Sequence, residues 1–441
     1  MDLLLTHGYF LGEDPKEREI MKPYAPLGLL YLSSHLRARG FDVEIYDSTF
    51  GAREELFRLI ETEQPRWVGI YGNLLTRRNA LAIAAAAQAC GCRVVLGGPE
   101  PANYAAEYLD AGADAIVAGE GEVALEALLR ADDFAQVPGI QYRDGGGVAR
   151  NAAAPLIADL DAQPWPDRER IDIDRYLGAW RSRHGRGSVS VITARGCPYH
   201  CRWCSHSVYG KTHRRRSPAS VAEEVAWIAK RYNPEMLWMA DDVFTIHPGW
   251  IMKYAEEMRR RDLKIPFECI TRADRMNPQM ARTLADLGCF RVWIGSESGS
   301  QKILDAMQRG VRVEQVREAV RLLRDHGIET GMFLMWGYDG EEMTDIEATV
   351  EHVKNCRPDI FLTTVSYPIK GTPYYDGVAA KLVRIGDWRE STDRDVRIAG
   401  RHSRRFYQFA DQFLRSEVSG SVVEADVARR GLRETFAEVE A

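Results

Sequence analysis

Residues 194–207 read ARGCPYHCRWCSHS and space Cys197, Cys201 and Cys204 as C-x3-C-x2-C. The run before them, SVSVIT, has strand character, and Pro218 to Tyr232 behind them has helical spacing. The thiols therefore stand on a strand-to-helix loop, where barrel-like α/β folds keep their reactive groups. Three thiols this close suggest a metal, and two readings compete. A structural zinc takes four protein ligands, with His206 available as the fourth. A [4Fe-4S] cube held by three thiolates leaves its fourth iron open to a substrate group.

Outward from the loop, strand and helix alternate for about 200 residues. The strands are SVSVIT, EMLWMA, FECI, RVWIG, GMFLMWG and IFLTTVSYP. Helices fall at Pro218 to Tyr232, Pro248 to Arg261, Pro278 to Leu287, Gln301 to Gln308 with Val313 to His326, and Glu341 to Asn355. Six β/α units make an open barrel, two short of a closed one. Upstream, residues 1 to about 130 alternate in the same way, which implies a doubly wound parallel sheet. Ligands of such sheets lie beyond the carboxyl ends of the strands. Those ends carry Tyr71-Gly72-Asn73, Gly97-Gly98-Pro99-Glu100 and Gly119-Glu120-Gly121-Glu122. Between the two regions, GIQYRDGGGVARN reads as a hairpin and AQPWPDRERIDIDRY as a linker. The expected domains are 1–138, a linker with hairpin over 139–185, the barrel over 186–385, and a charged C-terminal segment over 386–441 with a helix from Arg404 to Glu417.

The bulk numbers agree. At 441 residues the chain exceeds one ordinary core. Its 45% hydrophobic and 28% charged content fits a soluble globular protein, and a net charge of −6 argues against a nucleic-acid binder. No run is long and apolar enough to span a membrane, and the start does not read as a signal peptide. A cytoplasmic location is expected, where eight cysteines do not form a disulfide framework. Cys90, Cys92, Cys269, Cys289 and Cys356 read as buried free thiols.

ARGCPYHCRWC resembles the cluster loop of the radical S-adenosylmethionine (SAM) enzymes, with Trp203 at the aromatic position before the last cysteine. WMADDVFTIHPGW (238–250), IGSESGSQKIL (294–304) and YPIKGTPYYD (367–376) resemble the second-, fourth- and sixth-strand segments of the branch that carries cobalamin. KPYAPLGLLYLSSHLRARGFDVEIYD, VVLGGPEPA and VAGEGEVALEALL resemble the cobalamin domain of that branch, which includes class B methyltransferases and the anaerobic magnesium-protoporphyrin cyclases. The Asp-x-His-x-x-Gly cobalt-ligand motif is absent, since His7 lacks both the aspartate and the spacing. The resemblance implies an α/β protein: a Rossmann-like cobalamin domain, a partial (β/α)6 radical SAM barrel and a short, mainly helical C-terminal segment. It implies a [4Fe-4S] cluster, SAM and cobalamin as cofactors. The cluster would cleave SAM to a 5′-deoxyadenosyl radical, which abstracts hydrogen from an unactivated carbon, and methylcobalamin would deliver the methyl group.

Within that chemistry, place and residue type suggest the following roles. Cys197, Cys201 and Cys204 hold the cluster, and Trp203 shields it. Asp241 and Asp242 face the SAM ammonium group, Arg272 its carboxylate, and Ser296 and Glu297 its ribose or methionine end. Leu27, Gly28, Tyr71, Gly72, Asn73, Gly97, Gly98, Pro99, Gly119, Glu120 and Gly121 line cobalamin. The same strand-end residues could instead be ordinary caps and turns. THRRRSP, 212–218, reads as a solvated loop before a helix capped by Ser217; its cations could alternatively meet an anionic substrate, the cofactor phosphate or an electron donor. MWGYDGEE, 335–342, departs from the Pro-Gly-Glu turn of the family, with Trp336 and Tyr338 as candidates to line a substrate. The expected partners are a small-molecule substrate and an electron donor such as flavodoxin or ferredoxin. Methyl transfer leads. A cyclase or ring-rearranging enzyme with the same cofactors is the alternative, and a zinc- or cluster-stabilised binding protein is a third reading.

Overall fold

Short β-branched runs alternating with amphipathic helices leave each strand two apolar faces to cover. The structure, a computed structural model describing residues 1–440, covers both. The first sheet has the order β2-β1-β3-β4-β5-β6-β7. Its strands are β1 (Leu3–His7), β2 (Val43–Tyr46), β3 (Trp67–Tyr71), β4 (Arg93–Gly97), β5 (Ala115–Val117), β6 (Ile140–Asp144) and β7 (Gly147–Arg150). The first five are parallel. Successive side chains go to opposite faces. Leu4, Val68, Ile70, Val94 and Leu96 pack with Leu56, Ile60, Ile83 and Tyr108 on one side. Leu3, Leu5, Trp67, Val95 and Val117 pack with Leu29, Leu36, Leu125 and Leu128 on the other. The order 2-1-3-4-5 is flavodoxin-like, and its ligand crevice lies where the order reverses, past the ends of β1 and β3.

Two features differ from the sequence expectation. The hairpin assigned to the linker pairs antiparallel with β5 and extends the sheet by two strands. Backbone pairing to an open edge is invisible to composition. The Pro- and charge-rich stretch also runs into a helix, Ile173–His184, capped by the Asp172 side chain. Ile173, Tyr176, Leu177 and Trp180 are buried at helical spacing, and Tyr176 donates its hydroxyl to Asp47 at 2.7 Å.

Beyond it come β8 (Ser188–Val191), a short pair β9 (Ala194–Arg195) and β10 (Arg214–Arg215), then β11 (Met236–Met239), β12 (Phe267–Thr271), β13 (Cys289–Glu297), β14 (Glu329–Trp336) and β15 (Ile360–Val365). The second sheet runs β15-β14-β13-β12-β11-β8, the sequential order of an open (β/α)6 barrel. The helices Pro218–Tyr232 and Pro278–Leu287 have the bounds their spacing predicts. The tail holds two helices rather than one, Arg404–Ser419 and Val422–Thr435. Phe406, Tyr407, Phe413 and Leu414 pack on β14 and on the helix Met343–Cys356, together with Trp336. Trp336 is therefore core, not a substrate-lining residue.

The chain divides into two compact units, and not at a single cut. One holds Met1–Cys197, Ser205–Met236 and Asp387–Thr392; the other holds Pro198–Cys204, Leu237–Gly386 and the chain from Asp393 on. Among the described residues no helix is long and apolar enough to cross a membrane.

Candidate functional site

The thiol loop is shaped by its backbone. In the second unit, Arg202 donates its N–H to the Met307 carbonyl at 3.0 Å and accepts from the Tyr374 N–H at 2.9 Å. Trp203, half-buried, packs on a cluster that includes Met307, Met335, Tyr338 and Tyr374. Tyr338 stacks on Tyr374 with ring centroids 4.5 Å apart.

Cys201 is buried and Cys204 exposed, and the two share a thiol hydrogen bond. That bond, with the guanidiniums of Arg309 and Arg272, pulls Cys201 down to about 6, while the proton stays on Cys204. Arg309 Nη1 lies 3.7 Å and Arg272 Nη1 3.9 Å from Cys201 Sγ. Arg272 also donates to Asp274 and to the Arg309 and Gly310 carbonyls, and lies 3.7 Å over the Tyr199 ring. Its donors are thus engaged, where the sequence suggested a clamp for a free carboxylate. Cys197, half-buried, is the last residue of its stretch of the first unit. Among the described residues no three Cys, His, Asp or Glu side chains are gathered as a metal set. The donor chemistry nevertheless fits an iron–sulfur cluster: three thiols within eight residues, one of them held towards the thiolate.

The strand ends beside this loop carry the remaining candidates. Asp241 is buried and Asp242 exposed, just past β11. Ser296, at the end of β13, shares a hydrogen bond of 3.0 Å with His352 Nε2. Burial drives His352 down to about 4, so the ring is neutral. Glu297 takes a left-handed φ of 63° at a register shift, a strained backbone for a non-glycine residue. Burial raises its carboxyl to about 7 against the pull of Arg309. The turn that follows is held by one helix face. Gly299 N–H and Ser298 meet Thr349 Oγ1, and Ser300 donates to Asp345 at 2.6 Å.

In the first unit the glycines mark three strand ends. Gly98 and Gly119 have φ of 106° and 95°, and Gly72 donates to the Gly97 carbonyl at 2.8 Å. A Cβ on Gly119 would meet only the Val208 carbonyl, at 3.7 Å, and one on Gly28 would meet nothing within 4 Å. At Gly119 the open backbone suits a broad amide-bearing ligand such as a corrin, whereas a Cβ on Gly98 would stand 2.5 Å from the Gly72 carbonyl oxygen and one on Gly72 2.9 Å from Pro101 Cγ. Gly97, Pro99, Gly121 and Tyr71 are half-buried here, and Leu27 is buried at a helix start. Other candidates are occupied. Asn73 Oδ1 caps its own loop, accepting from Leu75 and Thr76 N–H. Glu120 accepts from Arg195 at 3.0 Å, Arg214 at 2.8 Å and the Ile157 N–H, while Glu122 pairs with Arg195 at 2.6 Å. His7 shares a bond of 3.1 Å with Asp47 inside the unit.

The basic run corrects a sequence expectation. Arg214, Arg215 and Arg216 are not solvated: they reach Glu120, Thr193 and Glu224, and the Glu224 carboxylate, fully buried, also holds Arg168. Composition shows a charge run but not the acids that meet it. Ser217 does cap its helix, accepting from Ser220 N–H at 3.2 Å. Sequence reasoning missed Arg309, Tyr199 and His352. Tyr199 lies inside the quoted loop, but Arg309, between two helices, carries no motif. A cavity of about 450 Å³ lined by Arg66, Cys90, Cys92 and Arg93 opens at the amino ends of β3 and β4, away from these groups.

The Radical SAM superfamily model matches residues 191–353, and the B12 binding domain model matches residues 19–129. An uncharacterized methyltransferase of Pyrococcus horikoshii is 29% identical over 387 residues, covering 84% of this chain and 82% of that protein. The anaerobic magnesium-protoporphyrin IX monomethyl ester cyclase of Rubrivivax gelatinosus is 28% identical over 360 residues, 78% of this chain and 64% of the cyclase. The solved radical SAM methyltransferase TsrM of Kitasatospora setae, with cobalamin and a [4Fe-4S] cluster bound, shares the fold. Its TM-score is 0.71 at 22% identity, over 86% of this chain and 74% of that one. With both domain models matched in order over more than half of its length, the chain belongs to the cobalamin-dependent radical SAM enzymes, whose cofactors are a [4Fe-4S] cluster, SAM and cobalamin.

Proposed function

We propose that the enzyme is a C-methyltransferase that acts on an unactivated carbon of a small biosynthetic molecule. The observation that carries this reading is one chain holding both a thiolate-poised C-x3-C-x2-C loop and a glycine-ended cobalamin fold. Its similarity to a methyltransferase over most of both chains supports methyl transfer. When bound, the cluster with SAM supplies the hydrogen-abstracting radical, and cobalamin supplies the methyl group.

The residues do the rest. Cys197, Cys201 and Cys204 would hold the cluster. Asp241 and Asp242 receive the SAM ammonium group, and Ser296 and Glu297 take its ribose or methionine end. His352 fixes the Ser296 hydroxyl, and Trp203 closes the loop against solvent. Tyr71, Gly72, Gly97, Gly98, Pro99, Gly119 and Gly28 face cobalamin through backbone and small side chains. The enzyme works in a reducing cytoplasm, with a flavodoxin- or ferredoxin-type donor as its source of electrons.

The similar cyclase sustains a second reading, ring formation with the same cofactors. Product analysis of the anaerobically reconstituted enzyme decides between them. Methyl transfer yields a methylated product and S-adenosylhomocysteine. 5′-Deoxyadenosine without S-adenosylhomocysteine would leave cyclisation or rearrangement. In either case Cys201→Ala is expected to abolish reductive SAM cleavage, and retained cleavage would refute the cluster assignment.

A further inference from the structure

We infer that Arg309 and Arg272 act as N–H donors to the Cys201 sulfur and thereby raise the reduction potential of the cluster that the thiol loop carries. The inference rests on the assignment of Cys201 as a cluster ligand. Both guanidiniums are buried, and both place Nη1 within 4 Å of the same sulfur. Neither is held there by chance rotamers. Arg309 donates Nη2 to the Gly295 carbonyl at 2.9 Å, which fixes its plane against β13. Gly295 leaves the room for it, because a Cβ there would stand 2.5 Å from Arg309 Nη2 and 2.7 Å from Glu297 Oε1. Arg272 is fixed by Asp274, by the Arg309 and Gly310 carbonyls, and by the Tyr199 ring beneath it. Tyr199 belongs to the loop and accepts from Arg275, so the stack ties the loop to the residues just past β12.

Hydrogen bonds to cluster sulfurs and positive charge beside them favour the reduced form, which carries one more electron. Arginine stays protonated, so the donors are constant with pH. The reduction is a one-electron step from an external reductant to the oxidised cluster, and no proton or bond of the protein changes. A residue so placed positions and tunes; it does not touch substrate.

The test is an EPR-monitored redox titration of the full-length, reconstituted enzyme without SAM, using dithionite and mediator dyes. Arg309→Gln is expected to raise the oxidised-to-reduced ratio at fixed potential roughly tenfold, a midpoint about 59 mV more negative for one electron. Gly295→Ala keeps every donor but displaces Arg309, and should shift the midpoint the same way. Arg309→Lys, which keeps the charge, should recover part of the shift. Iron and sulfide analysis accompanies each titration. A parent protein that binds no cluster would defeat the cluster assignment itself. Cluster-loaded variants with an unshifted midpoint would overturn the inference, including the case where SAM affinity falls and the arginines prove to be carboxylate clamps. Should Arg309→Gln fail to load, Gly295→Ala decides.

Discussion

At the scale of the residue, buried charge is the theme. Glu224 has no exposed surface and joins two arginines, Arg168 and Arg216. Burial alone would raise its carboxyl, and the two guanidiniums bring it below its ordinary value. Glu224→Gln strands both cations, and breaking such a buried group should cost about 3–5 kcal/mol in urea unfolding. Glu341 is the opposite case. Its carboxyl accepts from Gly337 N–H at 2.6 Å and is pushed by burial up to about 8. In the unfolded chain it titrates near the ordinary glutamate value of 4.5. The folded state therefore holds a proton that the unfolded chain releases, and this contribution to stability fades as pH rises from about 4.5 through about 8. Glu341→Gln should flatten that slope and leave the protein more stable than its parent at pH 8 by thermal unfolding. A steeper slope in the variant would contradict the assignment. His352 has the reverse sign, losing stability as pH falls from the ordinary histidine value of 6.5 towards about 4.

At the scale of the element, the helix Met343–Cys356 turns one polar face, Asp345, Thr349 and His352, to the turn after β13. The approach is close enough to require glycine. A Cβ on Gly299 would stand 2.5 Å from the Ala348 carbonyl and 2.6 Å from Thr349 Cα. Backbone cannot yield as a side chain can. Gly299→Ala should destabilise by about 1–3 kcal/mol and weaken SAM binding in equilibrium dialysis through the shifted Ser296. Unchanged affinity would separate this turn from the SAM site. The helix itself was legible from its spacing, and IGSESGS from its resemblance. Their contact was not, because a Ser–His bond between residues 56 apart leaves no local pattern.

At the scale of the whole molecule, the chain returns twice to its first unit, at Ser205–Met236 and again at Asp387–Thr392. Asp387–Thr392 belongs there, while the residues on either side of it belong to the second. Trp388 packs on Tyr104 and Tyr108, with ring centroids 5.7 and 5.0 Å away, and Arg77 lies 4.7 Å from its ring. Arg77 also donates to the Trp388 and Ser391 carbonyls. Trp388→Ala should lower stability by about 2–4 kcal/mol, somewhat below a fully buried tryptophan, and speed amide exchange over residues 101–110. Exchange confined to 387–392 would show that the segment does not brace those helices. The sequence by itself determined the alternation of both sheets, the bounds of most helices, the cysteine loop and the cofactor set, because each is written in local spacing or in a contiguous motif. Only the tertiary structure decided that the hairpin joins the first sheet, that the arginine run is internal, that Glu120 binds arginines, and that Arg309 reaches Cys201. Those depend on which distant group completes a hydrogen bond or fills a burial site, and residue type and spacing do not encode a partner 100 residues away.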